Sequence, residues 1–280
     1  PEVQDFVFGV VDRLMTENPG IAYFKWDCNS PIINAHSAYL AEKQSHLWID
    51  YVRSLYSVLE RIGAKYPDLP MMLCSGGGGR TDYGALRYFT EFWPSDNTDP
   101  LERIFIQWGY SHFFPLKSMC AHVTNWNRST SIKFRTDVAM MCKLGFDIIV
   151  KDLPDDELQF CRQALRNYNR LKHDGDFYRL VSPYEGQHAA MQTVSADRTG
   201  SVVFAYDLNP RYGEQLPAVR LTGLDPDLRY RIREINLMPG QNPRIEHNDR
   251  VVSGDYLMKA GLKLFSTDRA RSVVVELKAE

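Results

Sequence analysis

Residues 74–99, CSGGGGRTDYGALRYFTEFWPSDNTD, decide how the rest of the chain is read. They follow the apolar run Met71-Met72-Leu73 and pass through four consecutive glycines, 76–79. A short amphipathic segment comes next, and the stretch closes on Trp93, Pro94, Asp96 and Asp99. Four residues without a Cβ mark a place where backbone approaches something closely. A flexible Gly/Ser linker is the plainer alternative, but apolar residues bound this run directly and it lies inside a patterned region. A second acidic anchor stands earlier: Asp27 ends the apolar run IAYFKWD, 21–27.

Outward from that stretch, strand and helix patterns alternate. Helical spacing covers 3–16, ended by Asn18-Pro19-Gly20, and 21–27 reads as a strand covered on both faces. A long helix is expected over 37–65, stopped by Tyr66-Pro67, then strands at 70–74 and 89–93. Asp99-Pro100 opens a helix through Trp108. Strands are then expected at 113–119 and 146–150, with a helix at 132–144 between them. A last helix, capped by Asp155, runs to about His173. Alternation of this kind indicates a parallel sheet with crossover helices, in a (β/α) barrel or a doubly wound sheet. Five strands are too few for a closed eight-stranded barrel, so either the sheet is open or the first strands belong to sequence upstream.

The pattern changes near Gly175. From Phe177 no helix is expected, and short alternating runs appear instead: YRLVSP, HAAMQTVS, SVVFAYDL, AVRLTGL, RYRIREI, RVVSGDYL and ARSVVVEL. Strands at this spacing, separated by turn signals, indicate an antiparallel β-sandwich. The expected division is 1–175, α/β, followed by 176–280, all-β.

Bulk properties exclude several classes. The 280 residues are 44% hydrophobic and 24% charged with net charge −2, which gives no reason to expect a nucleic-acid or membrane partner. No apolar run approaches the ~20 residues of a membrane span. The five cysteines (28, 74, 120, 142, 161) are scattered and odd in number, which is not a disulfide framework. The histidines form no zinc-type pair, and the glycines are not followed by Gly-Lys-Ser/Thr, so no metal and no cofactor is expected. A chain beginning at Pro1 without a methionine is expected to have its true N-terminus elsewhere. The compartment stays open between cytoplasm and periplasm.

Two carboxylates, each ending a strand, are what a glycosidase needs. KWDCN (25–29), CSGGGGR (74–80), SDNTD (95–99), ERIFIQWGYSHFFP (102–115), LGFD (144–147) and GDFYRLVSP (175–183) together closely resemble glycoside hydrolase family 36, the α-galactosidases. The resemblance covers most of 1–210. It implies the C-terminal portion of a (β/α)8 TIM barrel, about strands 4–8, followed by a C-terminal β domain. It also implies a retaining hydrolase acting on oligosaccharides with a terminal α-galactose. Asp27 matches the family's nucleophile and Asp96 its general acid/base. Lys25 matches a lysine that binds galactose hydroxyls, and Trp93 a tryptophan lining the site. Cys74 with Gly76 and Gly77 matches a loop near the sugar's 2-hydroxyl, Asn29 belongs to the KWDCN motif, and Asp99 is expected to support the site. The family commonly continues Asp-Met-Asn-Arg, whereas this chain has Cys28, Asn29 and Ser30 after Asp27, which puts leaving-group contacts in doubt.

The chemistry is consistent with those roles. Retention requires carboxyls ~5–5.5 Å apart, one attacking the anomeric carbon and one protonating the leaving oxygen. Lys25 shares strand parity with Asp27 and so faces the same side. The general acid must carry its proton at rest, which partial burial or the nearby Asp27 charge would favour. The glycines would let backbone amides reach sugar hydroxyls. Arg80 and Asp82 are expected to hold the loop, and His112 and His122 to be structural. A competing reading makes the polypeptide a catalytically incomplete, sugar-binding half of such an enzyme. Others give it α-N-acetylgalactosaminidase or galactosyl transferase specificity. Its exposed barrel interior would be covered by the missing N-terminal part of a parent chain or in a homo-oligomer.

Overall fold

The computed structural model describes residues 1–29, 33–126, 129–171, 175–214 and 216–280. They form two compact units, Pro1–Asp96 and Asn97–Glu280.

The first unit holds α1 (Glu2–Glu17), β1 (Phe24–Asp27), α2 (Leu47–Lys65), β2 (Met71–Cys74) and β3 (Glu91–Phe92). The strands form a parallel sheet in the order β1-β2-β3, with Asp27 opposite Cys74. The central strand MMLC is buried along its length, as a parallel strand covered on both faces should be. Helix α2 buries Val58, Leu59 and Ile62 at helical spacing, and α1 lies against it with Arg61 paired to Asp5 at 2.8 Å. The long helix expected from residue 37 begins ten residues later. Before it come two 3₁₀ turns, Ala38–Leu40 and Gln44–His46. Ala41 sits at φ +46, which no helix accommodates, and the Gln44 amide donates to the Ser37 and Ala41 carbonyls. The strand expected at 89–93 is reduced to two residues, because Pro94 has no N–H to continue a ladder.

The second unit opens with α3 (Pro100–Tyr110), β4 (Cys120–Thr124), α4 (Ile132–Met140), β5 (Lys143–Asp147) and α5 (Asp155–Leu171). β4 and β5 pair in parallel. Two sequence expectations are displaced. Residues 113–119 are turns, including a 3₁₀ turn at Leu116–Ser118 behind Pro115, and the strand starts only at Cys120. The next strand lies at 143–147 instead of 146–150, because α4 stops at Met140. The expected end of α5 near His173 lies outside the described residues.

The antiparallel part comprises β6 (Asp176–Val181), β7 (His188–Val194), β8 (Gly200–Asp207), β9 (Arg229–Ile235), β10 (Val251–Ser253), α6 (Gly254–Lys259) and β11 (Arg271–Ala279). The sheet order is β10-β9-β11-β8-β7-β6. Its second layer is made of coil and α6. Val219, Leu221, Leu224, Ile245, Leu257, Leu262 and Leu264 pack on Val203, Ala205, Ile232, Val273 and Val275 of the strands. The run AVRLTGL, expected as a strand, makes a single bridge from Val219 to Leu262, and GDYL is the start of α6, although no helix was expected here.

The opposite face of the sheet lies on α4. That helix contacts α3, β4, β5, α5 and β11 and is buried on all sides. Phe134 meets Tyr206 edge-on at 6.2 Å. Asp137, fully buried, accepts from Lys133 at 2.5 Å, from Asn236 at 2.9 Å and from Ser272 at 2.6 Å. A buried carboxylate is tolerated only with such a complete set of donors.

Removing one member of a buried charge pair typically costs about 3–5 kcal/mol. Asp137→Ala is therefore expected to lower unfolding free energy by about that amount in chemical denaturation. Lys263→Ala, which breaks only the exposed pair with Glu246, is expected to change it by less than ~1 kcal/mol.

Candidate active site

The two carboxylates singled out in the sequence belong to one unit and to neighbouring-but-one strands. Asp27 is the last residue of β1. Its Oδ2 lies 3.7 Å from Lys25 Nζ, and both side chains are partly exposed on the same face. Asp96 stands four residues past β3, in the segment that Pro94 turns out of the strand, and is exposed. Axes of strands flanking a common neighbour lie about 10 Å apart. Retaining glycosidic chemistry needs its two carboxyls ~5–5.5 Å apart. The partial burial expected for Asp96 is not provided by the described residues.

Cys74 closes β2 between them and is buried. Burial pushes its thiol up. The Gly77 backbone and the Lys25 ammonium pull it down, and the Asp27 carboxylate adds to the rise. At neutral pH the group stays a protonated thiol.

The glycine run is a compact turn tied to both strand ends. On the Asp27 side, Gly76 N–H donates to the Asn29 side-chain oxygen, and the Ser75 hydroxyl donates to the Cys28 carbonyl at 2.7 Å. On the Asp96 side, Gly78 N–H donates to the Pro94 carbonyl at 3.1 Å. Gly77 has φ +84, and a Cβ on it would lie 2.7 Å from Ser95 Cα. Gly79 N–H donates to the Ser75 carbonyl. The Gly76, Gly78 and Gly79 amides thus have protein partners. Gly76, Gly77 and Asn29 position the carboxylate-bearing segments.

Arg80 and Asp82 hold the turn, as their place after the glycines suggested. Arg80 donates to the Ser75 hydroxyl at 3.1 Å and to the Tyr51 hydroxyl at 3.0 Å. Asp82 accepts from Tyr56 at 2.6 Å and from the Ala85 amide at 2.7 Å. Trp93 is buried, and its indole N–H donates to Asp96 Oδ1 at 3.0 Å. It fixes the carboxylate from beneath, a role its spacing of three residues before Asp96 could have signalled. Asp99 belongs to the second unit, where it caps α3 by accepting from the Leu101 and Glu102 amides at 2.9 and 3.2 Å. Asp before Pro is a common cap of this kind. His122 packs on Gly145, where a Cβ would meet its ring at 2.4 Å, and His112 lies beside Trp108. Ser30 lies outside the described residues. Among the described residues no group of His, Cys, Asp and Glu could hold a metal.

Gly77→Ala combines a left-handed backbone with a backbone clash and is expected to cost about 2–4 kcal/mol. Gly76→Ala has φ +54 but open space around its Cβ, and should cost about 1–2 kcal/mol. Equal losses in chemical denaturation would show that the contact with Ser95 does not matter.

Comparison with known proteins gives this geometry its relatives. Residues 1–174 match the Melibiase family and residues 188–277 the glycosyl hydrolase family 36 C-terminal domain. Alpha-galactosidase AgaA of Geobacillus stearothermophilus is 35% identical over 94% of this chain and 35% of its own length. Alpha-galactosidase C of Emericella nidulans is 33% identical over 98% of this chain and 35% of its own. The crystal structure of the family 36 enzyme AgaB from G. stearothermophilus superimposes with a TM-score of 0.89 at 34% identity, covering 100% of this chain and 38% of that one. The chain thus spans little more than a third of these relatives' length, and its α/β region followed by an antiparallel sheet corresponds to a partial barrel with the β domain that succeeds it. The match along nearly the whole chain places it in the melibiase family, glycoside hydrolase family 36.

Proposed function

We propose that this chain carries the catalytic carboxylates of a retaining α-galactosidase acting on oligosaccharides that end in α-galactose. The observation that carries the reading is the clasp by which one glycine turn bonds the segments bearing Asp27 and Asp96. Asp27 attacks the anomeric carbon as the glycosidic C–O bond breaks, and Asp96 gives its proton to the departing oxygen. Asp96 then takes a proton from water, whose oxygen attacks the anomeric carbon and releases Asp27. Lys25, beside Asp27, donates to sugar hydroxyls, while Trp93 holds the Asp96 carboxylate in place. AgaA variants have been solved with stachyose and with raffinose, which supports an oligosaccharide of that class. Residues 1–175 are read as the C-terminal portion of the catalytic barrel and 176–280 as the C-terminal β domain, a division supported by the two family matches.

A second reading, a sugar-binding portion without turnover of its own, is favoured by the chain's coverage of about a third of its relatives and by the exposure of Asp96. Covalent trapping separates the two. A 2-fluoro-galactosyl fluoride is expected to label Asp27 stoichiometrically in peptide mapping, and Asp27→Asn to abolish the label. Galactose binding without any label would favour the silent portion.

Where turnover is measured, Asp96→Asn should reduce it by about 10²–10⁴. Trp93→Phe keeps the ring and deletes the N–H to Asp96. It should lower kcat about tenfold or more with little change in KM, because misplacement of a reacting group acts on the transition state.

A further inference from the structure

Behind the glycine turn, the first unit contains a cleft of about 310 Å³ between the N-terminal half of α2 and residues 79–89. The volume is at the lower end of the range for small-molecule sites. Its floor is apolar: Leu59, Leu73, Ala85 and Phe89 are all under 5% exposed. Its outer wall is Trp48, an indole left 55% exposed on α2. Polar groups gather at one end, where Arg80, Asp82, Tyr51 and Tyr56 line the cleft.

Most of that polar end is already committed. Tyr56 donates to Asp82, and burial, followed by that carboxylate, pushes its phenol up to about 12, so it stays neutral. Asp82 also takes the Ala85 amide. Arg80 differs from both. Its guanidinium bonds only neutral acceptors, the Ser75 and Tyr51 hydroxyls and the Cys28 carbonyl. Among the described residues no carboxylate lies within ion-pair distance of it. A half-buried cation without a counter-charge, at the mouth of an apolar floor, favours an anion carried on an apolar body. A hexose would fit poorly, since its hydroxyls would be left unpaired against Leu59, Leu73 and Phe89.

We infer that this cleft is a binding site for a small aromatic carboxylate, its ring on the leucine and phenylalanine floor beside Trp48 and its charge on Arg80. The site is separate from the carboxylate pair and does not rest on the galactosidase reading. Arg80 joins the two places through Ser75 and the Cys28 carbonyl, one residue beyond Asp27.

Phenylacetate, titrated into the 280-residue chain by calorimetry and tryptophan fluorescence, should bind saturably at one equivalent. Trp48→Ala and Val52→Phe, the second filling the cleft from an exposed position, should each weaken binding at least tenfold with the circular-dichroism spectrum unchanged. Phenylacetamide, of the same shape without the charge, should also bind at least tenfold more weakly. Asp27→Asn should bind phenylacetate as the parent does, which separates this site from the catalytic one. The inference is overturned by absence of saturable binding, by unchanged affinity in both cleft variants, by equal binding of the amide, or by displacement of phenylacetate by galactose.

Discussion

The first unit depends on a contact between two pieces of backbone: the α-carbon of Gly77 against residues 94 and 95. Because no side chain can stand there, the turn after β2 closes directly on the segment after β3. The Gly76 amide reaches back to Asn29 and the Ser75 hydroxyl to the Cys28 carbonyl. Strand pairing alone fixes the strands along their length but leaves their ends free to fray. The turn removes that freedom where the acidic residues sit. Arg80, Ser75 and Tyr51 then stiffen the turn from the side away from the sheet.

The second unit uses a different device. Its parallel strands and its antiparallel sheet share one helix, α4, and the join is polar at its centre. Asp137 draws donors from its own helix, from Asn236 after β9 and from Ser272 on β11. Such a group does not add much stability over an apolar filling. It does select one arrangement, since a rotated or slid helix would leave the carboxylate without donors. Tyr206, whose hydroxyl donates to the Asp137 carbonyl at 3.1 Å, reads the same position from β8.

Much of this was legible in the residues. The alternation of strands and helices, the family's motifs and the pairing of Lys25 with Asp27 all follow from pattern, because strand parity and apolar spacing are local properties. Residues 37–46 carry no strong breaker, yet the helix starts only at Leu47, because Gln44 reaching back to the backbone goes with a left-handed Ala41. The displaced fourth strand has a similar cause. Phe113 and Phe114 look β-forming, yet they close a turn on Tyr110. At the site, the roles of Asp99 and of the glycine amides could not be read from type and order. Both depend on which hydrogen-bond partner lies nearest in space. Asp99 finds the start of α3, and the Gly76, Gly78 and Gly79 amides find oxygen atoms of the chain itself.

A helix enclosed on every side has no face of its own to offer water, and α4 is such a helix. The β-sheet that follows in the chain is therefore the lid of the hydrophobic interior laid down before it. Cutting the polypeptide between α5 and β6, where the secondary structure changes class, would not yield two modules. It would strip Phe134 and the Asp137 carboxylate of their cover, so the natural seam in composition is not a seam in folding.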